Sequence, residues 1–193
     1  MTKFIRVALV LAACLLALAG CKEEKAAQDI APKDMNAQTL GHYCQMNLLE
    51  HPGPKAQVHL EGMPAPLFFS QVRDAIAYQR MPEQDAAIEV IYVSDMGRAH
   101  SWDNPGVDNW IAAHEAFYVV GSDATGGMGA SELVPFARRE AADSFARQRG
   151  GRIATLEEIA DTEVLAPAGG ATKDPEKDDY LSRLRALTSE GNS

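Results

Sequence analysis

Sulfur-bearing side chains are the residues of this chain best suited to chemistry, and two of them are close in sequence. Cys44 and Met46 are separated by one residue in Gly41-His42-Tyr43-Cys44-Gln45-Met46. In an extended segment this spacing directs both side chains to the same face. A thiolate beside a thioether is a soft donor pair, which favours Cu(I) over hard cations such as Mg²⁺. The pair predicts a Cu(I) site, and the alternative is a partly buried cysteine beside a core methionine.

A third sulfur candidate is Met128, in the segment Gly126-Gly127-Met128-Gly129. Flanking glycines let the backbone bend freely and predict that this methionine is exposed at a loop tip. An exposed methionine could close over a metal ion or contact a partner, and the alternative is a turn whose methionine packs into the core. A phosphate-binding loop is excluded because no Lys-Ser or Lys-Thr pair follows the glycines. Met63 and Met96 are weaker candidates.

Histidine ligands are less clearly indicated than the sulfurs. The chain has five histidines, and none forms a metal-binding pair at helical spacing. His42 is close enough to Cys44 to supply an imidazole, but it is interpreted as a surface residue. The sequence leaves open whether a histidine or water completes the metal coordination.

The first twenty residues have the features of a secretory signal. Lys3 and Arg6 give a basic start, and an apolar run over residues 7–18 follows. Leu18-Ala19-Gly20-Cys21 resembles the lipobox of bacterial lipoproteins, which implies cleavage before Cys21 and attachment of lipid to that residue. The alternative is an ordinary signal peptide that happens to precede a cysteine. We therefore predict a chain anchored through Cys21 at the periplasmic face of a bacterial membrane.

Export leaves the chain with a single thiol. Of the three cysteines, Cys14 lies in the signal and Cys21 takes the lipid, so only Cys44 keeps a free sulfhydryl. Compartments outside the cytoplasm favour disulfides and sulfur oxidation. A solitary thiol there is unusual, and occupation by a metal ion would account for its survival.

Composition and motifs exclude several functional classes. A net charge of −9 and a pI near 5.0 argue against a nucleic-acid partner, because phosphate binding needs a basic face. The chain has neither a Gly-x-Ser-x-Gly elbow nor a Cys-x-x-Cys redox pair. A thiol enzyme with one cysteine would need an external resolving partner. We therefore predict that the chain is not an enzyme.

The apolar pattern predicts a folded core between two polar segments. Residues 21–39 read as a lipid-anchored linker and residues 167–193 as a mobile tail. Between them the pattern predicts an α+β fold of two β-β-α-β halves, residues 40–110 and 111–166, which indicates an internal duplication.

Each half is defined by short apolar runs and one amphipathic helix. In the first half we predict strands at Val58–Leu60, Leu67–Phe69 and Ile88–Val93, and a helix at Gln71–Arg80 capped by Ser70. In the second half we predict strands at Phe117–Val120, Leu133–Phe136 and Arg152–Thr155, and a helix at Arg139–Arg149 ended by Gly150-Gly151. Trp102 and Trp110 are assigned to the connection between the halves.

Several of these segments together resemble the NosL family, lipoproteins encoded with nitrous oxide reductase. The resemblance spans the folded core but neither the linker nor the tail. The segments that carry it are Tyr43–Met46, Glu50–Gln57, Phe69–Ala75, Tyr92–Gly97, Gly121-Ser122 and Gly126–Ala130.

The resemblance implies a periplasmic, membrane-anchored Cu(I) chaperone with a duplicated fold. It implies delivery of copper to the maturation of nitrous oxide reductase through a NosDFY-type transporter complex. The family's Cys-x-Met element corresponds to Cys44 and Met46, and Met128 corresponds to a third donor. The alternative is a docking lipoprotein whose sulfurs only pack and whose tryptophan-bearing connection binds a membrane assembly.

Overall fold

Two antiparallel sheets and three helices make up the part of the chain that the computed structural model describes, residues 30–82 and 84–166. The predicted signal peptide, Cys21, most of the predicted linker and the predicted tail lie outside these residues. The strands are β1 (Ala56–Leu60), β2 (Leu67–Phe69), β3 (Ile88–Ser94), β4 (Trp110–Ala112), β5 (Phe117–Val120), β6 (Val134–Phe136) and β7 (Arg152–Ala154). The helices are α1 (Val72–Arg80), α2 (Arg139–Arg149) and α3 (Asp161–Leu165). Within this described part, no helix has the length and apolar character needed to span a bilayer.

The two sheets share one topology. The first has the strand order β2-β1-β3-β4 and the second has the order β6-β5-β7, and all neighbouring strands are antiparallel. In each sheet the strand that comes first in sequence is central, and the next two strands lie on either side of it. In both sheets a helix connects these two flanking strands, and the first sheet has β4 as an additional edge strand beside β3. The predicted α+β class with two β-β-α-β halves is confirmed.

Apolar side chains from both halves pack into one shared core. Every residue of β1 is buried, and α1 adds the buried side chains of Val72, Ala75 and Ile76 on one face, as their spacing predicts. Tyr118 of β5 belongs to the same cluster, and its hydroxyl donates a hydrogen bond of 2.7 Å to the carbonyl of Ala113. The shared core fixes the loops of one half against those of the other.

The N-terminus of α1 differs from the prediction that Ser70 caps it. The helix begins one residue later than expected, and the Gln71 side chain at the cap position makes no capping bond. Instead, the carboxylate of Glu132, in the second half, accepts a hydrogen bond of 3.0 Å from the backbone N–H of Arg73. An acidic group suits this position because helix N-termini carry partial positive charge and unpaired amides.

The predicted linker and the predicted connection both contribute to the fold. Met35, within the predicted linker, is buried against Leu48 and Trp110, and its N–H donates to the carbonyl of Val107 at 2.9 Å. Trp110 was expected in the connection, but it begins β4 and pairs with β3. Trp102 stacks on Phe145 of α2, with the ring centroids 6.4 Å apart. Both indoles therefore pack against the protein.

Candidate metal centre

Cys44 lies in a tight turn rather than in an extended segment. The N–H of Gly41 donates to the carbonyl of Met46 at 2.9 Å, and the N–H of Gln45 donates to the carbonyl of Gly41 at 2.8 Å. Gln45 takes a φ of 55°, which is uncommon for a side chain other than glycine. The side-chain nitrogen Nε2 of Gln45 donates to the carbonyl of His42 at 2.6 Å. The extended geometry expected for the Cys-x-Met element is therefore wrong, because this turn closes on itself.

The thiol of Cys44 is free and partly exposed. It lies directly over the Cα of Gly41, where an added β-carbon would overlap the sulfur. The Met46 side chain is 43% exposed. His42, interpreted as a surface residue, packs its ring against Tyr43, Phe69 and Tyr78. The turn therefore leaves Met46 exposed and both Cys44 and His42 partly exposed, with the histidine ring packed among aromatic rings.

The Met128 loop, which we define as residues 126–130, is exposed at Met128 and packed at its glycines. The Met128 side chain is 46% exposed. Only Gly129 takes a positive φ, of 79°, so the backbone freedom predicted for the glycines applies there. An added β-carbon on Gly126 would overlap Glu132 Oε2, and one on Gly127 would lie 2.7 Å from Cβ of His51. These two glycines are required by close approach to neighbouring residues.

Two hydrogen bonds attach the Met128 loop to the first half. The N–H of Met128 donates to Gln71 Oε1 at 2.6 Å, and His51 Nδ1 lies 3.2 Å from the carbonyl of Gly127. His51 directly follows the short 3-10 helix Leu48–Glu50, which itself begins two residues after Met46. The structure therefore places the Met128 loop against the segment that continues from the Cys-x-Met element.

A buried lysine and a buried glutamate lie beneath these loops, and the sequence analysis missed both. Lys55 donates from Nζ to the carbonyls of Pro52 and Gly53, and burial lowers its pKa to about 8 despite the opposing charges of Glu132 and Cys44. Glu132 is 1% exposed, and burial raises its pKa to about 8 despite two backbone N–H donors. Charged residues are almost never fully buried, so their sequence positions gave no signal.

The donor types near Cys44 decide which ions the region suits. Among residues 30–82 and 84–166, no three histidine, cysteine, aspartate or glutamate side chains cluster in a way that could hold a metal ion. What the region offers is one thiol and accessible thioethers, which bind soft monovalent ions in preference to hard divalent ones. The residues present fit a copper ion better than zinc, calcium or magnesium.

Comparison with known proteins gives a consistent result. The family model described as NosL matches residues 32–164. The chain is 61% identical over 180 residues to the copper-binding lipoprotein NosL of Achromobacter cycloclastes, covering 92% of this chain and 93% of that protein. It is 37% identical over 153 residues to the protein of the same name from Stutzerimonas stutzeri, covering 77% and 78% of the two chains. The crystal structure of the copper chaperone NosL from Shewanella denitrificans superposes with a TM-score of 0.62 at 29% identity, covering 67% of this chain and 95% of that one.

Proposed function

The chain belongs to the NosL family, and on that premise we propose that it is a Cu(I) chaperone that supplies copper for the maturation of nitrous oxide reductase. In this proposal Cys44 is the thiolate anchor, and Met46 and Met128 are thioether donors. Cys21 carries the lipid that holds the chain at the periplasmic face of a membrane. Relatives named as copper-binding lipoproteins and as a copper chaperone support the cargo and the role. The role requires no catalysis.

One observation supports the proposal: a free, partly exposed thiol lies two residues from an exposed methionine, on a segment whose continuation is bonded to the loop of a second one. Met46 is two residues from Cys44, and the loop of Met128 is bonded to the segment that follows them. Single exposed apolar side chains are common on protein surfaces, so exposure alone does not mark a ligand, as Met63 illustrates. What supports coordination of a soft ion is that the accessible thioethers of Met46 and Met128 lie on segments joined to the one that holds the thiol.

The donor set explains how the ion could be both held and released. One thiolate neutralises the single charge of Cu(I), and the thioethers are neutral donors that add no charge. Two or three donors leave one side of the ion open. A partner's ligand can then enter before a donor leaves, so copper passes by ligand exchange and is never free in solution. We propose a NosDFY-type membrane transporter complex as that partner, with nitrous oxide reductase as the direct or indirect recipient.

Anaerobic titration with Cu(I) against a competing chelator tests the binding site. We expect a single ion per chain, no tight binding by Cys44→Ala, and weaker binding by Met46→Ala and Met128→Ala. Met63→Ala is the matched control, because Met63 is 44% exposed in the turn after β1, at the opposite end of that strand from Lys55. Copper binding that survives Cys44→Ala unchanged would contradict the proposal.

Transfer and anchoring need separate measurements. Copper-loaded chain mixed with the purified transporter complex is expected to lose its ion to the complex faster than to an equal concentration of unrelated membrane protein. Cys21→Ala is expected to move the chain from the membrane fraction to the soluble periplasmic fraction. Equal loss of copper to both acceptors would contradict the delivery role while leaving copper binding intact.

Within residues 30–82 and 84–166, no contact favours the alternative role of a docking lipoprotein without copper. That alternative relied on exposed tryptophans in the connection between the halves. Trp110 is buried in the first sheet, and Trp102 is stacked on Phe145. Neither indole is free to serve as the expected docking surface.

A further inference from the structure

Gln71 is a buried glutamine whose side chain is not used by its own helix. It occupies the residue before α1, where a polar side chain commonly caps the first turn, but it makes no capping bond. The Glu132 carboxylate accepts the N–H of Arg73 in its place. Gln71 Oε1 is therefore available to accept the N–H of Met128, at 2.6 Å and 57 residues further along the chain.

Besides its contacts with Gln71 and His51 of the first half, the Met128 loop makes hydrogen bonds within itself. The N–H of Gly126 donates to the carbonyl of Ala130 at 2.8 Å, and the N–H of Gly129 donates to the carbonyl of Gly126 at 2.9 Å. The N–H of Met128 instead leaves the loop and bonds to the first half through Gln71. Loss of that bond would release the backbone at Met128 itself, while the internal hydrogen bonds of the loop and the contact of Gly127 with His51 stay in place.

We propose that Gln71 is a positioning residue that holds Met128 at the correct distance from the Cys-x-Met element of the first half. This inference rests on the proposed function, because it takes Met128 as a copper donor. Gln71 touches no metal itself; it acts through the backbone of the donor residue. Residues that orient metal ligands from the next layer commonly contribute about 10–100-fold to metal affinity, which sets the expected size of the effect.

Gln71→Leu is the informative substitution, because leucine fills most of the same buried volume, removes the acceptor and adds no sulfur that could itself bind Cu(I). We expect this variant to bind Cu(I) about tenfold more weakly than the unchanged chain. Gln57→Leu is the matched control. Gln57 is also fully buried, and its Oε1 accepts a backbone N–H, that of Lys33, at 2.8 Å, away from the Met128 loop. The control is expected to keep the full Cu(I) affinity.

A double-mutant cycle separates positioning from general destabilisation. In a Met128→Ala background, Gln71→Leu is expected to cause no further loss of Cu(I) affinity, because the donor that it positions is gone. An equal loss in both backgrounds, or no loss in either, would overturn the proposal. If Met128→Ala alone binds copper as tightly as the unchanged chain, the donor role of Met128 fails and this inference fails with it, while Cys44→Ala still reports on the rest of the proposed function.

A second variant keeps the test valid if Gln71→Leu does not fold. Gly127→Ala displaces the same loop without removing a buried polar group, because the new β-carbon would lie 2.7 Å from Cβ of His51. We expect it to weaken Cu(I) binding in the unchanged chain and to have no further effect beside Met128→Ala. Unchanged affinity in Gly127→Ala would show that the position of the loop does not control copper binding, and would overturn the proposal.

Discussion

Replacement of Glu132 by glutamine is expected to remove a large part of the pH dependence of stability. Glu132 Oε1 accepts hydrogen bonds from the backbone N–H groups of Arg73 and Leu133, at 3.0 and 2.9 Å, while Oε2 has no hydrogen-bond partner within the described residues. Burial raises the pKa of this carboxyl to about 8. Glutamine keeps one carbonyl oxygen for both donors and cannot ionise, so it imitates the protonated acid.

The direction of the effect follows from the two pKa values. The carboxyl has a pKa of 4.5 when unperturbed and about 8 in the folded chain, so between these values the folded state keeps a proton that the unfolded state releases. The free energy of unfolding therefore falls as pH rises through this window, by at most about 1.4 kcal/mol per pH unit. The contribution is fully present below the lower pKa and is lost as pH approaches the upper one. Lys55, with its pKa lowered from 10.5 to about 8, acts in the opposite sense and only at higher pH.

Urea unfolding of the metal-free chain at pH 5 and pH 7.5 measures this loss. We expect the unchanged chain to lose several kcal/mol more than Glu132→Gln between the two pH values. All other side chains are the same in both proteins, so the difference between the two slopes isolates Glu132. Glu157→Gln, at an exposed glutamate, is expected to behave like the unchanged chain. Equal slopes for the unchanged chain and Glu132→Gln would refute the assignment of a proton to the buried carboxyl.

Three further substitutions test the site and the core. Gly41→Ala places a β-carbon where the Cys44 sulfur lies, so the thiol must rotate away. We expect this variant to bind Cu(I) about tenfold more weakly in chelator competition. Unchanged affinity would show that the orientation of the thiol is unimportant. Ile76→Ala removes a fully buried side chain and is expected to cost about 2–5 kcal/mol in urea unfolding, so a cost well below that would show that the helix face is loosely packed. Tyr118→Phe leaves the carbonyl of Ala113 without its hydroxyl donor and is expected to cost about 1 kcal/mol in the same assay, whereas no loss would show that another group replaces the bond.

Local sequence pattern was sufficient for most of the secondary structure. The helix Arg139–Arg149 and the strands Leu67–Phe69 and Phe117–Val120 have the predicted bounds. The second helix ends where Gly150 takes a φ of 74°, a conformation that glycine adopts without steric cost. Such signals depend only on neighbouring residues, which is why they could be found without the fold.

Features that depend on distant residues could not be found in this way. The strand Trp110–Ala112 has three residues and exists because β3 offers an edge to pair with. Met35 is buried because Leu48 and Trp110 form a surface that receives it. The cap of α1 comes from Glu132 rather than from the adjacent Ser70, and no local rule could choose a residue so far along the chain.

The candidate site shows the same division. Residue type and spacing indicated the sulfurs, and exposure of Met128 at a loop was foreseen from its glycines. The turn that contains Cys44 was not predicted. It depends on hydrogen bonds made by Gln45, which the assumption of an extended segment did not include. Gly126 and Gly127 were attributed to backbone freedom, whereas their reason is the proximity of side chains from other segments.

The order of strands along the chain has a consequence for how the molecule is built. All strands of the first sheet lie between residues 56 and 112, and all strands of the second lie between 117 and 154, so synthesis completes one sheet before it begins the other. Yet the backbone N–H of Arg73, in the first half, has its acceptor in Glu132, which is synthesised 59 residues later. The N-terminus of α1 therefore keeps an unpaired amide while the first half stands alone, and folding of the second half supplies the carboxylate that completes this helix end.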